Sequence, residues 1–223
     1  MFIFREKRTF LLLLIMGLVL LTGCQNQSST VDEMYTVLEN VVELEQSFEE
    51  QQDPLVELER EEKEIYSQII ALGMKEFDQI VALSNEALEI VSKRQEHMQK
   101  EEESIQASKK EFEKFKPLIA ELEDEELVKK ANELNDTMLE RFSTHDDLYK
   151  NYTQGLEFDK ELYQMFQKED LSIDQLEEQI TKINDTYKVV LETNETFNEH
   201  TKKYNEIKLE FYKAAGIEVN EEE

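Results

Sequence analysis

From Ile173 to Phe211 apolar residues return every three or four positions: Ile173, Leu176, Ile180, Ile183, Tyr187, Val190, Phe197, Tyr204 and Phe211. Only an α-helix sets such residues along one side, and the spacing is close to a strict heptad seam. A seam of this length cannot face water, so the chain must supply other helices to cover it. Asn194, Thr201 and Lys208 interrupt one of its two core positions, as polar residues that fix register at some cost in stability do. They face either a partner helix or water. Ser172 and Gln175 form a capping box at its start, and Gly216 ends it.

Three further stretches carry the same pattern. Val31, Met34, Leu38, Val41 and Phe48 share a face, with Thr30 as the N-cap and Glu33 completing a capping box. The run Gln51-Gln52-Asp53-Pro54 interrupts them, and the apolar phase resumes as Leu55, Leu58, Ile65, Ile69 and Leu72, which predicts a kink or turn. A stripe from Phe77 through Ile80, Ala87, Val91, Met98 and Ile105 reaches Phe112. Pro117 breaks that helix, and Asp124-Glu125-Glu126 supplies acidic chemistry for the next start. The third long helix runs Leu127, Ala131, Leu134, Met138, Phe142, His145, Leu148, Tyr152, Leu156, Leu162 and Phe166. Gly155 inside it marks a bend or a close helix contact, since glycine there costs about 1 kcal/mol against alanine.

The expected fold is all-α: an elongated antiparallel up-and-down helical bundle with coiled-coil-like packing. Gly73 decides the layout. As a turn it gives four long helices of near-equal length, standing roughly 65 Å tall. As a helical residue it leaves residues 54–116 as one helix, giving three long helices and a shorter first one. In the four-helix layout the Pro117 turn, the start and the C-terminus share one end.

The N-terminus carries the motif with the most specific chemistry. Arg5, Lys7 and Arg8 precede an apolar run from Phe10 to Leu21, and Leu21-Thr22-Gly23-Cys24 follows. A basic start, a short apolar core and small residues describe a secretory leader, and the run is well short of the roughly 20 residues needed to span a bilayer. Cys24 is the one cysteine in the chain. A bacterial lipobox requires its thiol to take the diacylglycerol before cleavage between Gly23 and Cys24. The sequence therefore divides into a signal peptide (1–23), a polar tether (24–30), a helical bundle (31–216) and an acidic tail (217–223). It predicts a lipid-anchored protein on the extracellular face of the cell membrane.

Removing the leader takes the formal charge from −27 to −29, because that segment holds three basic residues and one acid. Such a charge repels phosphate backbones and excludes nucleic acid as a partner. With Cys24 lipidated no thiol remains for a disulfide, and packing alone must hold the domain.

Catalytic chemistry is not legible. The residues three before His97, His145 and His200 are Arg94, Phe142 and Phe197, so the Glu-x-x-His pattern of di-metal bundles is missing. No Gly-x-Ser-x-Gly and no phosphate-binding glycine loop occur. The acidic runs 57–62 and 121–126 read as solvated helix faces, and the second lacks a calcium-loop pattern. His145, on the apolar stripe beside Asp146 and Asp147, reads as a half-buried, hydrogen-bonded histidine. Most late aromatics fall on the seams and read as core; Tyr163 and Tyr212 lie off them and are expected to be exposed. No catalytic residue, metal ligand or cofactor is assigned.

With the lipobox, the helix lengths, Leu-Gly-Met-Lys-Glu-Phe (72–77) and the Glu- and Lys-rich stretch from Lys93 to Phe112 in view, the chain resembles the YkyA-like cell-wall-binding lipoproteins of Firmicutes. The resemblance spans essentially the whole mature chain. It implies a helical bundle on the outer membrane face associated with the wall, and it transfers only Cys24 as a functional position. Peptidoglycan or another envelope protein is then the expected partner. The function expected is non-enzymatic wall binding, with a helical adaptor for an envelope complex as the alternative and a wall hydrolase third. Anionic wall polymers should repel so acidic a chain, so wall contact needs bridging cations, local lysines or neutral glycan.

Overall fold

The computed structural model describes residues 23–72 and 76–218, with side chains from Ser29 onward. The expected leader up to Thr22, the Cys24 side chain, Gly73 and the tail beyond Glu218 lie outside the described residues. Five helices follow among them: α1 Gly23–Ala71, α2 Phe77–Phe112, the short α3 Phe115–Ile119, α4 Glu125–Phe166 and α5 Ile173–Ala214.

Cross-helix contacts give the topology. Asn40 bonds Glu111, Phe48 bonds Ser104 and Arg94 bonds Glu62, so α2 runs back along α1. Lys109 pairs with Asp146 and Arg94 with Asp159, which sets α4 antiparallel to α2. Lys130–Glu210 and Arg141–Thr201 set α5 antiparallel to α4. Rings of Tyr35 and Tyr212 (5.3 Å) and of Phe48 and Phe197 (5.7 Å) close α1 onto α5. This is the up-and-down four-helix bundle, and the layout with residues 54–116 as one helix is excluded. The start of α1, the α3 turn and the end of α5 lie together at the foot; the end of α1, the start of α2 and the α4–α5 turn lie at the far end.

Helix ends follow local chemistry where it is strong. The Asp124 carboxylate accepts from the backbone N–H of Glu126 (2.8 Å) and Leu127 (3.0 Å). Ser172 and Gln175 make the reciprocal capping box. Gly216 adopts φ 73°, and the Ile217 N–H reaches back to the Tyr212 carbonyl at 2.9 Å, closing a Schellman turn.

Three boundaries differ from the sequence expectation. Thr30 does not cap a helix: α1 already runs through residues 24–30, the stretch read as a tether, and buried Thr30 donates to Glu121 at 3.4 Å. Asp53-Pro54 does not break α1 either. The seam continues through it as Met34, Val41, Phe48, Leu55, Glu62 and Ile69, with Gln51 and Leu55 buried on both sides of the proline. That continuous packing outweighs the ~3 kcal/mol a helix-interior proline costs. Finally, α2 ends at Phe112, ahead of Pro117, which sits in the first turn of α3 where no donor is required. Phe112 and Phe115 stack there, 5.2 Å apart and 12° from parallel.

The core comes in two parts. One fills the foot around Met34, Leu38, Phe115, Met138, Phe142 and Phe211; the other fills the far half around Leu55, Ile69, Val91, Leu156 and Phe166. A polar belt separates them. In it Glu45 grips Arg141 through two bonds of 2.8 Å, while Arg141 Nε donates to Thr201 at 2.9 Å. One seam interruption of α5, Thr201, therefore faces a partner inside the bundle. No described helix is long and apolar enough to cross a membrane.

Candidate functional site

In the far half of the bundle the seam of α2 carries a cation: Arg94 lies among Ala87, Val91 and Met98 and is almost wholly buried. Its five N–H groups are all engaged. Nε donates to Tyr152 Oη (3.0 Å), and Nη1 donates to Glu62 (2.5 Å) and Asp159 (3.3 Å). Nη2 donates to Tyr152 (2.8 Å), Tyr187 (3.0 Å) and Glu59 (3.4 Å). The two tyrosines pass the contacts on, Tyr152 to Glu59 at 2.6 Å and Tyr187 to Asp159 at 2.5 Å. One cation thus ties together α1, α2, α4 and α5.

Gly155 makes this arrangement fit. A Cβ there would stand 2.9 Å from the Tyr187 ring, so only glycine lets that ring lie against α4 and aim its hydroxyl at Asp159. The close helix contact expected at this glycine is present.

Electrostatics follow from burial. Burial works against charge on Arg94, but Tyr152, Tyr187, Glu62 and Glu59 around it more than offset that and hold the guanidinium protonated. Burial, and then the neighbouring Glu62, push the Asp159 carboxyl up to about 7, against the pull of Tyr187 and Arg94. Burial likewise raises Tyr152 and Tyr187 well above the ordinary phenol, so both stay neutral donors.

The cluster lines the floor of a groove between α1 and α5. A cavity of about 460 Å³ opens there, walled by Tyr66, Ile180, Ile183, Val190 and Leu191, with Lys63 at its rim. A second cavity of about 350 Å³ continues toward the foot between Gln52, Val56, Asn194 and Asn198. The two share Glu59, Tyr152, Val190 and Leu191, so they form one trough. Val56 on one lip and Leu191 on the other are 65% and 69% exposed, high for large apolar side chains. In the second cavity buried Glu101 accepts from Gln52, and burial with the Glu59 charge raises its carboxyl to about 8.

Several residues stand elsewhere than the sequence suggested. Glu59 and Glu62, read as part of a solvated acidic run, reach Arg94. Tyr163 and Tyr212, expected to be exposed, are both 2% exposed; the Tyr212 hydroxyl donates to Glu39 at 2.8 Å. His145 is neither half-buried nor hydrogen-bonded. It is wholly enclosed between the rings of Phe48 and Phe197, its nitrogens making no hydrogen bond among the described residues. Its Nδ1 stands 3.5 Å from Glu102. Burial, then the Arg141 charge, lower its pKa to about 4, so it is neutral. Among the described residues no group of three or more His, Cys, Asp or Glu is placed to hold a metal ion. The Arg94 cluster itself escaped the sequence reading. Its signal was there as one basic residue on the α2 seam, matched by acids on the seams of α1 (Glu62) and α4 (Asp159).

Residues 29–214 match the model of the YkyA family, described as "Putative cell-wall binding lipoprotein". The lipoprotein YkyA of Bacillus subtilis (strain 168), itself uncharacterized, is 39% identical over 201 residues, 90% of each chain. A crystal structure of a protein of unknown function from Staphylococcus aureus superposes with a TM-score of 0.67. It is 17% identical, covers 85% of this chain and 95% of its own, and supports the fold alone.

Proposed function

Because this chain belongs to the YkyA family of lipoproteins, we propose that it is a non-enzymatic rod, lipid-anchored through Cys24, that binds cell-wall material along its flank. Its place is the outer face of the cell membrane. The leader is cleaved between Gly23 and Cys24, and two acyl chains on the thiol, at ~0.8 kcal/mol per buried CH₂, hold it there. The observation that carries the reading is the open groove between α1 and α5, set in the half of the bundle remote from the foot. An anchor at Cys24 leaves Glu59 about 50 Å along α1, well clear of a bilayer surface.

A second reading, a helical adaptor for an envelope protein complex, draws on the apolar side chains Ile173, Val189 and Leu191 exposed along α5. Sedimentation of the purified chain with peptidoglycan, with and without teichoic acid and Ca²⁺, separates the two. Binding to wall alone supports the first reading. Absence of binding under every condition removes it and leaves the adaptor. Release of soluble muropeptides in the same tubes would instead make the protein a hydrolase.

A further inference from the structure

We propose that the α1–α5 trough is a binding site for a short peptide carrying a primary ammonium, seated with the ammonium at Glu59 and Asp159; it rests on the wall-binding reading only for the source of that peptide.

Shape calls for a chain. The trough spans α1 from Phe48 to Tyr66, about 27 Å at 1.5 Å per residue, and the larger of its two cavities falls within the roughly 300–1,000 Å³ of ligand sites. Its lips, Val56 and Leu191, are aliphatic and present apolar surface to whatever lies between them.

Charge calls for a cation. Three carboxylates, Glu59, Glu62 and Asp159, face the larger cavity against Arg94 and the rim residue Lys63. Every N–H of Arg94 is already directed at a side chain of the bundle, leaving none for an anionic ligand. Glu59 Oε2 and Asp159 Oδ1 accept no hydrogen bond from the described residues, so they are the acceptors open to a ligand donor.

The two rings on the floor argue against a sugar there. Tyr152 and Tyr187 pack edge to face at 6.1 Å, and the Arg94 guanidinium sits over both, 5.0 and 5.6 Å from the ring centres. Their faces are engaged within the bundle, so neither of these two rings offers a pyranose a platform. An ammonium on a peptide also removes the repulsion that so acidic a chain meets at the wall. The amine is attracted by the charge that drives anionic polymers away.

The test is calorimetric titration of the full chain in detergent with a wall stem peptide bearing a free side-chain amine. The same peptide with that amine acetylated, and peptide-free glycan, are titrated alongside. The free-amine peptide is expected to bind, and acetylation to weaken it about tenfold, the scale of one charge-assisted hydrogen bond. Glu59→Gln, whose amide oxygen can still accept from Tyr152 and Arg94, should weaken it about as much with helicity retained. Val56→Ser and Leu191→Ser should weaken it severalfold with helicity and melting temperature little changed, because those two side chains are exposed. Equal binding of the acetylated peptide, binding of glycan alone, no saturable binding, or tighter capture of a basic helical peptide would overturn the site. Intact walls sedimenting with the protein while the peptide fails to bind would overturn it too, yet leave the wall reading in place. Peptide binding without wall sedimentation would support the site and remove the wall as its source.

Discussion

The ring of Tyr187 occupies the space in which any side chain at Gly155 would stand, its Cζ only 2.9 Å from the position of a Cβ. That contact holds the Tyr187 hydroxyl on Asp159 and Arg94. Gly155→Ala, which would gain about 1 kcal/mol in an isolated helix, is therefore expected to destabilise the bundle by about 1–3 kcal/mol. Urea unfolding measures this. Combining it with Tyr187→Leu should give a coupling energy that removes most of the loss, and strict additivity would show that the ring is not the obstacle.

Arg94 is a buried cation facing three carboxylates. Arg94→Ala leaves those acids without their counter-charge and should cost about 3–5 kcal/mol. Arg94→Lys keeps the charge but cannot span Tyr152, Glu62 and Tyr187 together, so an intermediate loss is expected from the same unfolding curves. A loss under 1 kcal/mol for the alanine variant would contradict the cluster as drawn.

Stability should fall as pH rises from about 4.5 to about 8. Burial lifts Glu101 from 4.5 to about 8 and Asp159 from 3.8 to about 7, so the folded state binds more protons than the unfolded one across those ranges. Their contribution declines as pH rises toward 8. Burial lowers His145 from 6.5 to about 4, so there the unfolded state binds more protons and stability rises with pH between those values. Two declines outweigh the one rise up to 6.5, and above 6.5 only the declines remain, so the fall steepens there. Thermal unfolding from pH 4 to 8.5 reads both ranges. Glu101→Gln should make the fall shallower, and His145→Phe should steepen it between about pH 4 and 6.5.

Cys24→Ala should move the protein from the membrane pellet to the soluble fraction, as Cys24 is the sole cysteine and the sole lipidation point expected. Cell fractionation with radiolabelled palmitate checks it. Retention of label in the variant would refute attachment at this thiol.

Much of the fold was written locally. Asp124, the Ser172–Gln175 pair and Gly216 announce helix ends through bonds made within a few residues, and each stands where its chemistry required. Continuity through Pro54 was hidden because two buried positions near it are polar: Gln51 is buried against His97, and Glu62 against Arg94. An apolar count skips both and reads a slipped phase. Burial of Tyr163 and Tyr212 was illegible for a related reason. Glu39 takes the Tyr212 hydroxyl, and Glu62 neighbours Tyr163, each acid lying on α1, far along the chain. The groove belongs to the same class, since it depends on how α1 and α5 stand apart and not on either helix alone.

Heptad seams have a weakness, in that sliding one helix past another by seven residues leaves apolar opposite apolar. On α1 the row Met34, Val41, Phe48, Leu55, Glu62 and Ile69 would tolerate such a shift almost everywhere. The two buried guanidiniums would not. Glu45 meets Arg141 and Glu62 meets Arg94 in one alignment only, and a shifted α1 would strand four charges away from water. Arg141 and Arg94 therefore act as two pins in a ruler, and a two-pinned ruler has one zero.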